Sequence, residues 1–360
     1  MATRPRILVG LSGGLDSTVT VRLLQEQGYA PEGITLVLQA NDPDHPLPAE
    51  ACGYDTAAKA AAAAADLGIP HRVIDARDRF TQSVLHACWN VFEAGGTPNP
   101  CVFCNARIRF GMMVALAREE GIDQIATGHY ARLVPGPDGR FRLLRGIDPD
   151  KDQSYFLHGV DPALYPHILF PLGGMRKREV RERARQWGFK NAEAPESQDV
   201  CFAGPDGHFA EQLRQRFGGR ATPGVFVDET GKVLGTHSGI HRYTLGQRKG
   251  LGFATGQRVK ICRIDTATGT ITVSPDSSAT LAQSAHSDDF RWIASPQSGT
   301  PLLAQVRYRQ KAVPATLTRS EGPHVTVTFA EPVFSVTPGQ SLVLYAADEV
   351  IGGGTISLEG

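Results

Sequence analysis

Two groups of residues in this chain could do chemistry. The first is Ser12-Gly13-Gly14-Leu15-Asp16-Ser17, which follows the apolar run Ile7-Leu8-Val9 and opens into a helical stretch from Ser17 to Gln27. A strand that ends in Ser-Gly-Gly and turns into a helix leaves N–H groups facing outward at the helix N-terminus, where phosphate binds well. The glycines permit positive φ and close backbone approach, Asp16 can hold Mg²⁺, and Ser12 and Ser17 can donate to phosphate oxygens. The Gly-Lys-Ser/Thr ending of a Walker loop is absent, so this nucleotide loop is of another kind. The plain alternative is a turn with a capping serine. The second group is thiols. Cys101 and Cys104 sit in Thr97-Pro98-Asn99-Pro100-Cys101-Val102-Phe103-Cys104-Asn105, a proline-stiffened loop that the pattern runs into a helix from about Asn105 to Glu120. A thiol at a helix N-terminus beside Arg107 and Arg109 is a nucleophile near neutral pH, and position favours Cys104. Cys201, after Ser197-Gln198-Asp199-Val200 and before Phe202, reads on its own more simply as a small core residue.

The elements that must position these groups alternate. Ile7–Val9, Ile34–Leu38, Arg72–Ile74 and Ile122–Ala126 read as strands, with helices near 17–27, 55–67, 79–93 and 105–120 between them. Gly28, Gly68, Gly95 and Gly121 fall where left-handed helix caps belong. That order predicts a doubly wound parallel sheet, with ligands beyond the carboxyl ends of the strands, where the Ser-Gly-Gly loop and the turn Thr127-Gly128-His129 both lie. Residues of about 165–215 hold basic helical stretches, Met175–Trp187 and His208–Phe217, and read as a small helical module. From Thr222 the pattern becomes strand-like: Gly224–Val227, Val259–Ile264, Thr270–Val273, Leu302–Tyr308, Ala315–Thr318, Val325–Phe329 and Ser341–Tyr345. Strict alternation in Val325-Thr326-Val327-Thr328-Phe329 predicts one buried and one wet face, as in a small barrel. The predicted class is α/β plus β.

At 360 residues the chain can bury two or three cores. Lys plus Arg and Asp plus Glu are 37 each, which excludes a protein that coats nucleic acid indiscriminately and requires any RNA site to be a local patch. With no apolar run near 18 residues and no signal-like start, the expectation is a cytosolic protein without a membrane partner. Six cysteines in a reducing compartment suit core, catalytic or metal-binding roles better than stapling, and Cys52, Cys88 and Cys262 read as structural.

The chain resembles the bacterial tRNA-uridine 2-sulfurtransferases, the tRNA-specific 2-thiouridylases of the N-type ATP pyrophosphatase superfamily. The resemblance is carried by Gly10-Leu11-Ser12-Gly13-Gly14-Leu15-Asp16-Ser17, Thr97-Pro98-Asn99-Pro100 up to Cys104-Asn105, Ala126-Thr127-Gly128-His129-Tyr130 and Lys151-Asp152-Gln153-Ser154-Tyr155-Phe156. It continues through Ser197 to Phe202, Thr244 to Gly252, Arg307-Tyr308-Arg309-Gln310 and Thr337-Pro338-Gly339-Gln340, which spans nearly the whole length. It implies an adenine nucleotide α-hydrolase-like domain over 1–160 and part of 161–215, a small β-rich domain over 216–280 and a β-barrel over 281–360. It implies ATP with Mg²⁺, held by residues 10–17, Leu36 and Gly128, and thiolation of the wobble uridine of Lys, Glu and Gln tRNAs. Asp16 counts with the catalytic residues, Cys201 becomes the persulfide carrier and Cys104 the nucleophile that forms a disulfide with it. Asn99, Pro100 and Cys101 match target-base contacts, and His129, Lys151, Asp152, Gln153, Arg307, Tyr308 and Gln340 match other tRNA-contacting positions. A desulfurase or relay protein would donate sulfur and a cellular reductant would reset the thiols; a monomer is the default.

Many relatives carry Asp at the position of Cys101. A Cys-x-x-Cys pair with Cys201 could therefore hold a [4Fe–4S] cluster as an alternative to the disulfide relay. A zinc knuckle lacks an evident fourth ligand apart from His129. Leu36-Val37-Leu38-Gln39 lacks the Met-Lys-aromatic version seen in many relatives. A small-molecule ATP pyrophosphatase such as an amidotransferase-type ligase would share the loop but gives no reason for Cys104 or Cys201, and a non-catalytic tRNA binder gives none for Asp16 and three cysteines.

Overall fold

The computed structural model describes residues 4–39, 54–194, 209–296 and 299–357. The chain divides into two compact units, Met1–Val84 with Cys101–Gly207 and Asp348–Val350, and Leu85–Pro100 with His208–Ala347 and Ile351–Gly360.

The first unit is the expected doubly wound sheet. β1 (Arg6–Gly10), α1 (Leu15–Glu26), β2 (Ala30–Val37), α2 (Tyr54–Leu67) and β3 (His71–Asp75) alternate as the pattern predicts. α3 (Arg77–Phe80) leads through a π-helical turn, 81–85, into α4 (His86–Glu93), which belongs to the second unit. α5 (Pro100–Cys104), a π-helical turn over 105–109 and α6 (Phe110–Glu119) make one continuous helix before β4 (Ile125–Ala126). The hairpin β5 (Ala131–Pro135) and β6 (Phe141–Arg145) and the short β7 (Ile168–Leu169) follow, then α7 (Lys177–Gln186). The parallel sheet has the order β3-β2-β1-β4-β7. Ile7, Val9 and Leu11 pack with Val21, Leu24, Ala60 and Ala64 on one side. α1 turns Leu15, Val19 and Leu23 toward Val180 and Ala184 of α7 on another. Gly28, Gly68, Gly95 and Gly121 all have positive φ where helices end, as expected of left-handed caps.

Three features differ from the sequence reading. The fifth strand, β7, was not foreseen, because two residues carry no period. The two basic helices expected to form one module fall apart, α7 packing on α1 and α8 (Phe209–Phe217) lying in the second unit beside α4, where Phe92 and Phe209 meet edge to face at 5.9 Å. Pro100–Glu119 is a 20-residue helix apolar enough, at mean hydropathy 1.2, to cross a membrane on composition alone, so the expectation of no such stretch fails. It buries Phe110, Met113, Val114 and Ala117 and packs on β1, as a core helix does.

The second unit is β-rich. β8 (Gly224–Val227), β9 (Val233–His237), β10 (Lys260–Asp265) and β11 (Thr270–Ser274) form one sheet in the order β10-β11-β8-β9 around Phe226, Ile261 and Ile271. β12 (Leu281–Ser287), β13 (Arg291–Trp292), β14 (Leu302–Gln305), β15 (Val313–Glu321), β16 (His324–Phe334), β17 (Ser341–Ala346) and β18 (Glu349–Thr355) build the last domain. Their order is β12-β16-β15-β14-β17-β18 around Val325, Val327, Phe329, Leu342 and Leu344. β18 escaped sequence reading because Gly352-Gly353-Gly354 has low strand propensity. A Cβ on Gly352 would lie 2.6 Å from the Phe290 ring, so close packing of that ring excludes a side chain.

Candidate active site

β1 and β4 are adjacent at the centre of the first unit's sheet, and the chain leaves them toward opposite edges, which opens a crevice at their carboxyl ends. A cavity of ≈ 200 Å³ fills it, lined by Gly10, Leu11, Ser12, Asp16, Ser17, Leu36, Thr127, Gly128, His129, Gln153, Cys104 and Arg109 among others. Gly13, Gly14 and Leu15 do not line it; they shape the loop. Gly13 has φ +73° and presses on α2, so a Cβ there would lie 2.6 Å from the Lys59 carbonyl carbon. Gly128 abuts the start of α1, where a Cβ would lie 3.0 Å from the Asp16 carbonyl carbon. Gly14, extended, is the N-cap of α1, and the first helical bond is the Thr18 N–H to the Gly14 carbonyl, at 3.1 Å. The amides before it point out of the helix end.

Three expected roles change on contact with the geometry. The Ser17 hydroxyl donates to the Gly14 carbonyl at 3.0 Å and accepts from the Ser12 N–H at 3.2 Å, so it braces the loop instead of waiting for phosphate. Both oxygens of Asp16 accept from the Lys177 ammonium, at 2.7 and 2.8 Å, and Oδ1 also accepts from the Tyr130 hydroxyl at 2.8 Å. A carboxylate already neutralised this way does not fit a Mg²⁺ held by the protein alone. The helix begins at Pro100, not Asn105, so Cys101 occupies the first turn and Cys104 ends it. Pro100 is well suited to open a helix, its missing N–H being one that has no helical partner anyway.

Cys104 is buried at 5 % exposure and faces the cavity, while Cys101 is partly exposed. Of the two arginines expected beside it, Arg109 lines the same cavity; Arg107 donates to the Ser83 carbonyl at 2.8 Å and lies over Phe103. His129 is a buried wall residue, with Nδ1 2.7 Å from the Thr127 hydroxyl and its ring against Phe110 and Phe170. Burial, and then the nearby Arg109 charge, push its pKa down to about 3. Gln153 also lines the cavity and exchanges bonds with the Tyr130 backbone. Asp152 is folded inward, accepting from the Gly146 and Ser154 N–H groups and from Arg145. Lys151 is partly exposed beside it.

In the second unit Arg307 is exposed and Tyr308 half-buried after β14, their carbonyls held by the Gln305 amide. Gln340 donates to the Thr97 and Pro98 carbonyls at 2.9 and 3.1 Å, so it shapes the strip that carries Asn99 and Pro100. Cys201 lies outside the described residues, as does Cys52. Lys177 and Tyr130 escaped the sequence reading. Lys177 had one weak signal, a lysine at the start of an amphipathic helix, but nothing in sequence aims it at Asp16.

Fold and site together define an α/β nucleotide-loop domain with a thiol in its cavity, followed by two β domains. Family models match in the same order: the tRNA methyl transferase HUP domain over 5–205, the tRNA methyl transferase PRC-barrel domain over 212–275 and the aminomethyltransferase β-barrel domain over 283–356. A tRNA-specific 2-thiouridylase MnmA of Synechococcus sp. (strain JA-3-3Ab) is 43 % identical over 98 % of this chain and 94 % of its own. That of Geobacter metallireducens is 41 % identical over 98 % and 97 %. The chain belongs to the tRNA-specific 2-thiouridylase family.

Proposed function

We propose that this enzyme converts the wobble uridine of tRNAs for Lys, Glu and Gln to 2-thiouridine, using ATP to activate the base and a persulfide on Cys201 as sulfur source. The observation that carries the reading is one cavity shared by the Ser-Gly-Gly loop and the Cys104 thiol. Uracil O2 attacks the α-phosphorus of ATP, pyrophosphate leaves, and the adenylated oxygen becomes a leaving group. The outward amides of α1 face the phosphates, and the Lys177 ammonium, which pairs at 2.7 Å with the cavity residue Asp16, is assigned to turn from that carboxylate to the phosphate. The terminal sulfur of the Cys201 persulfide bonds C2. The Cys104 thiolate then attacks the Cys201 sulfur, the S–S bond of the persulfide breaks, and its electron pair stays on the sulfur attached to C2. That sulfur expels AMP, leaving C2=S and a Cys104–Cys201 disulfide for a cellular reductant to open.

The target base leaves the anticodon stack at a cost of a few kcal/mol. Asn99, Pro100 and Cys101 are assigned to the target base, and Gln153 and the neutral His129 line the nucleotide-loop cavity. Lys151 and Arg307 suit phosphate and Tyr308 offers a stacking face. Cys101 and Cys104, three residues apart in one turn, also suit the cluster alternative. The test is thiolation of unmodified tRNA with ATP by anaerobically purified protein, with a cysteine desulfurase and cysteine as the persulfide donor that charges Cys201 and a thiol reductant to reset the disulfide, for wild type and for Cys101→Ala, Cys104→Ala and Cys201→Ala. Loss with Cys104→Ala and Cys201→Ala only, in iron-free protein, supports the relay. A brown protein needing all three overturns it in favour of a cluster, and no thiolation at all overturns the tRNA assignment.

A further inference from the structure

The last domain carries a side-chain cluster that thiolation does not use. His286 lies on β12, Asp288 just beyond its end, and His324 opens β16. In the β12–β16 register His286 faces Thr326 and Ser287 faces Val325, so His324, two residues before Thr326, is a diagonal neighbour of His286 on the same face. Asp288, two residues after His286, returns to that face by strand alternation. His286 Nε2 is 2.7 Å, and His324 Nδ1 2.8 Å, from the same oxygen, Asp288 Oδ1, and all three donor atoms lie within 4.8 Å of one another.

We propose that His286, Asp288 and His324 bind a divalent zinc ion, with a fourth coordination position open to solvent. Two imidazoles and a carboxylate are the donor set that zinc prefers over the all-oxygen shells of Ca²⁺ and Mg²⁺. Bonds of about 2.0–2.2 Å place tetrahedral donors about 3.3 Å apart, so the two short contacts open by about half an ångström while the two histidine nitrogens, within 4.8 Å of each other, take up the same spacing. The supports are in place. His286 Nδ1 is 2.9 Å from the Thr326 hydroxyl, which accepts the ring proton once Nε2 gives its lone pair to the metal. The Ser357 side chain hydrogen-bonds Asp288. The adjoining Asp289 accepts from the Thr355 N–H and hydroxyl and from Ser287, which fixes the backbone that presents Asp288. Arg319 is the nearby cation, and it is paired with Glu321 at 2.8 Å. The site ties the ends of β12 and β16 together and needs none of the thiolation residues.

The test uses the full chain with Cys101, Cys104 and Cys201 changed to serine, so that the relay thiols do not compete, and zinc sulfate as the only probe. The expected result is one equivalent of zinc by metal analysis, perturbed ring signals of two histidines, and binding at least about tenfold weaker in His286→Gln, His324→Gln and Asp288→Asn taken separately. Unchanged uptake in the histidine variants, or no uptake by the chain with the three relay cysteines replaced, overturns the proposal. Because the three side chains are partly exposed, each variant can be checked for an unaltered circular dichroism spectrum first.

Discussion

Replacing Lys177 by Met is the sharpest test of the nucleotide site. The change keeps the stem of the side chain and removes the ammonium that contacts both Asp16 oxygens. Leaving one partner of a fully buried pair uncompensated costs about 3–5 kcal/mol. Here the Lys177 side chain is 10 % exposed but that of Asp16 is 34 % exposed, so water reaches the orphaned carboxylate, and the Tyr130 hydroxyl still donates to it. The expected stability loss is therefore about 1–3 kcal/mol, read by urea denaturation. The effect on chemistry is larger. In the proposed mechanism this cation turns from Asp16 to the phosphorus undergoing substitution, a contribution worth about 10²–10³ in rate, so tRNA-dependent pyrophosphate release should fall by that factor while the affinity for tRNA holds. Lys177→Arg should not restore it, because a planar fork replaces a point charge in a site closed around an ammonium. If Lys177→Met loses stability yet releases pyrophosphate within about threefold of wild type, the ammonium merely neutralises Asp16 and the reasoning fails.

Gly13→Ala, which sets a Cβ 2.6 Å from the Lys59 backbone at positive φ, should cost at least about 2 kcal/mol in thermal stability and abolish nucleotide binding; normal ATP affinity would contradict the loop geometry. Gln340→Ala removes two hydrogen bonds to Thr97 and Pro98, about 1 kcal/mol each, and should raise the KM for tRNA by up to about thirtyfold without changing ATP affinity in equilibrium dialysis. His129 has a folded pKa of about 3, below the 6.5 of an unfolded histidine, so the unfolded chain binds the extra proton. Its contribution is absent above pH 6.5, and as pH falls from there toward 3 stability drops by up to about 1.4 kcal/mol per unit; His129→Gln should flatten that slope in denaturation midpoints measured against pH. Cys104→Ala should still release pyrophosphate but form no disulfide with Cys201 on non-reducing peptide mapping.

What the sequence determined is what is local. The strand, glycine pair and helix of residues 7–26 are contiguous, so propensity and turn chemistry settle the nucleotide loop before any packing is known. The same holds for the four glycine caps and for the alternation in β16, whose faces are decided two residues at a time. Cys104, too, could be singled out from its loop, though the helix start could not, because a proline inside a Pro-Asn-Pro run reads equally as loop or first turn.

Tertiary structure alone decided the pairings across long stretches of chain. Lys177 reaches Asp16 over 161 residues and Gln340 reaches Thr97 over 243, and no periodicity encodes which acceptor a distant donor meets. Burial made His129 a neutral wall residue of the cavity, and sheet register brought His286 and His324 onto one face. The physical reason is the same in each case. Local conformational preference is written in adjacent residues, whereas the partner of a charge or a polar side chain is fixed only when two separately folded surfaces close on one another and exclude water.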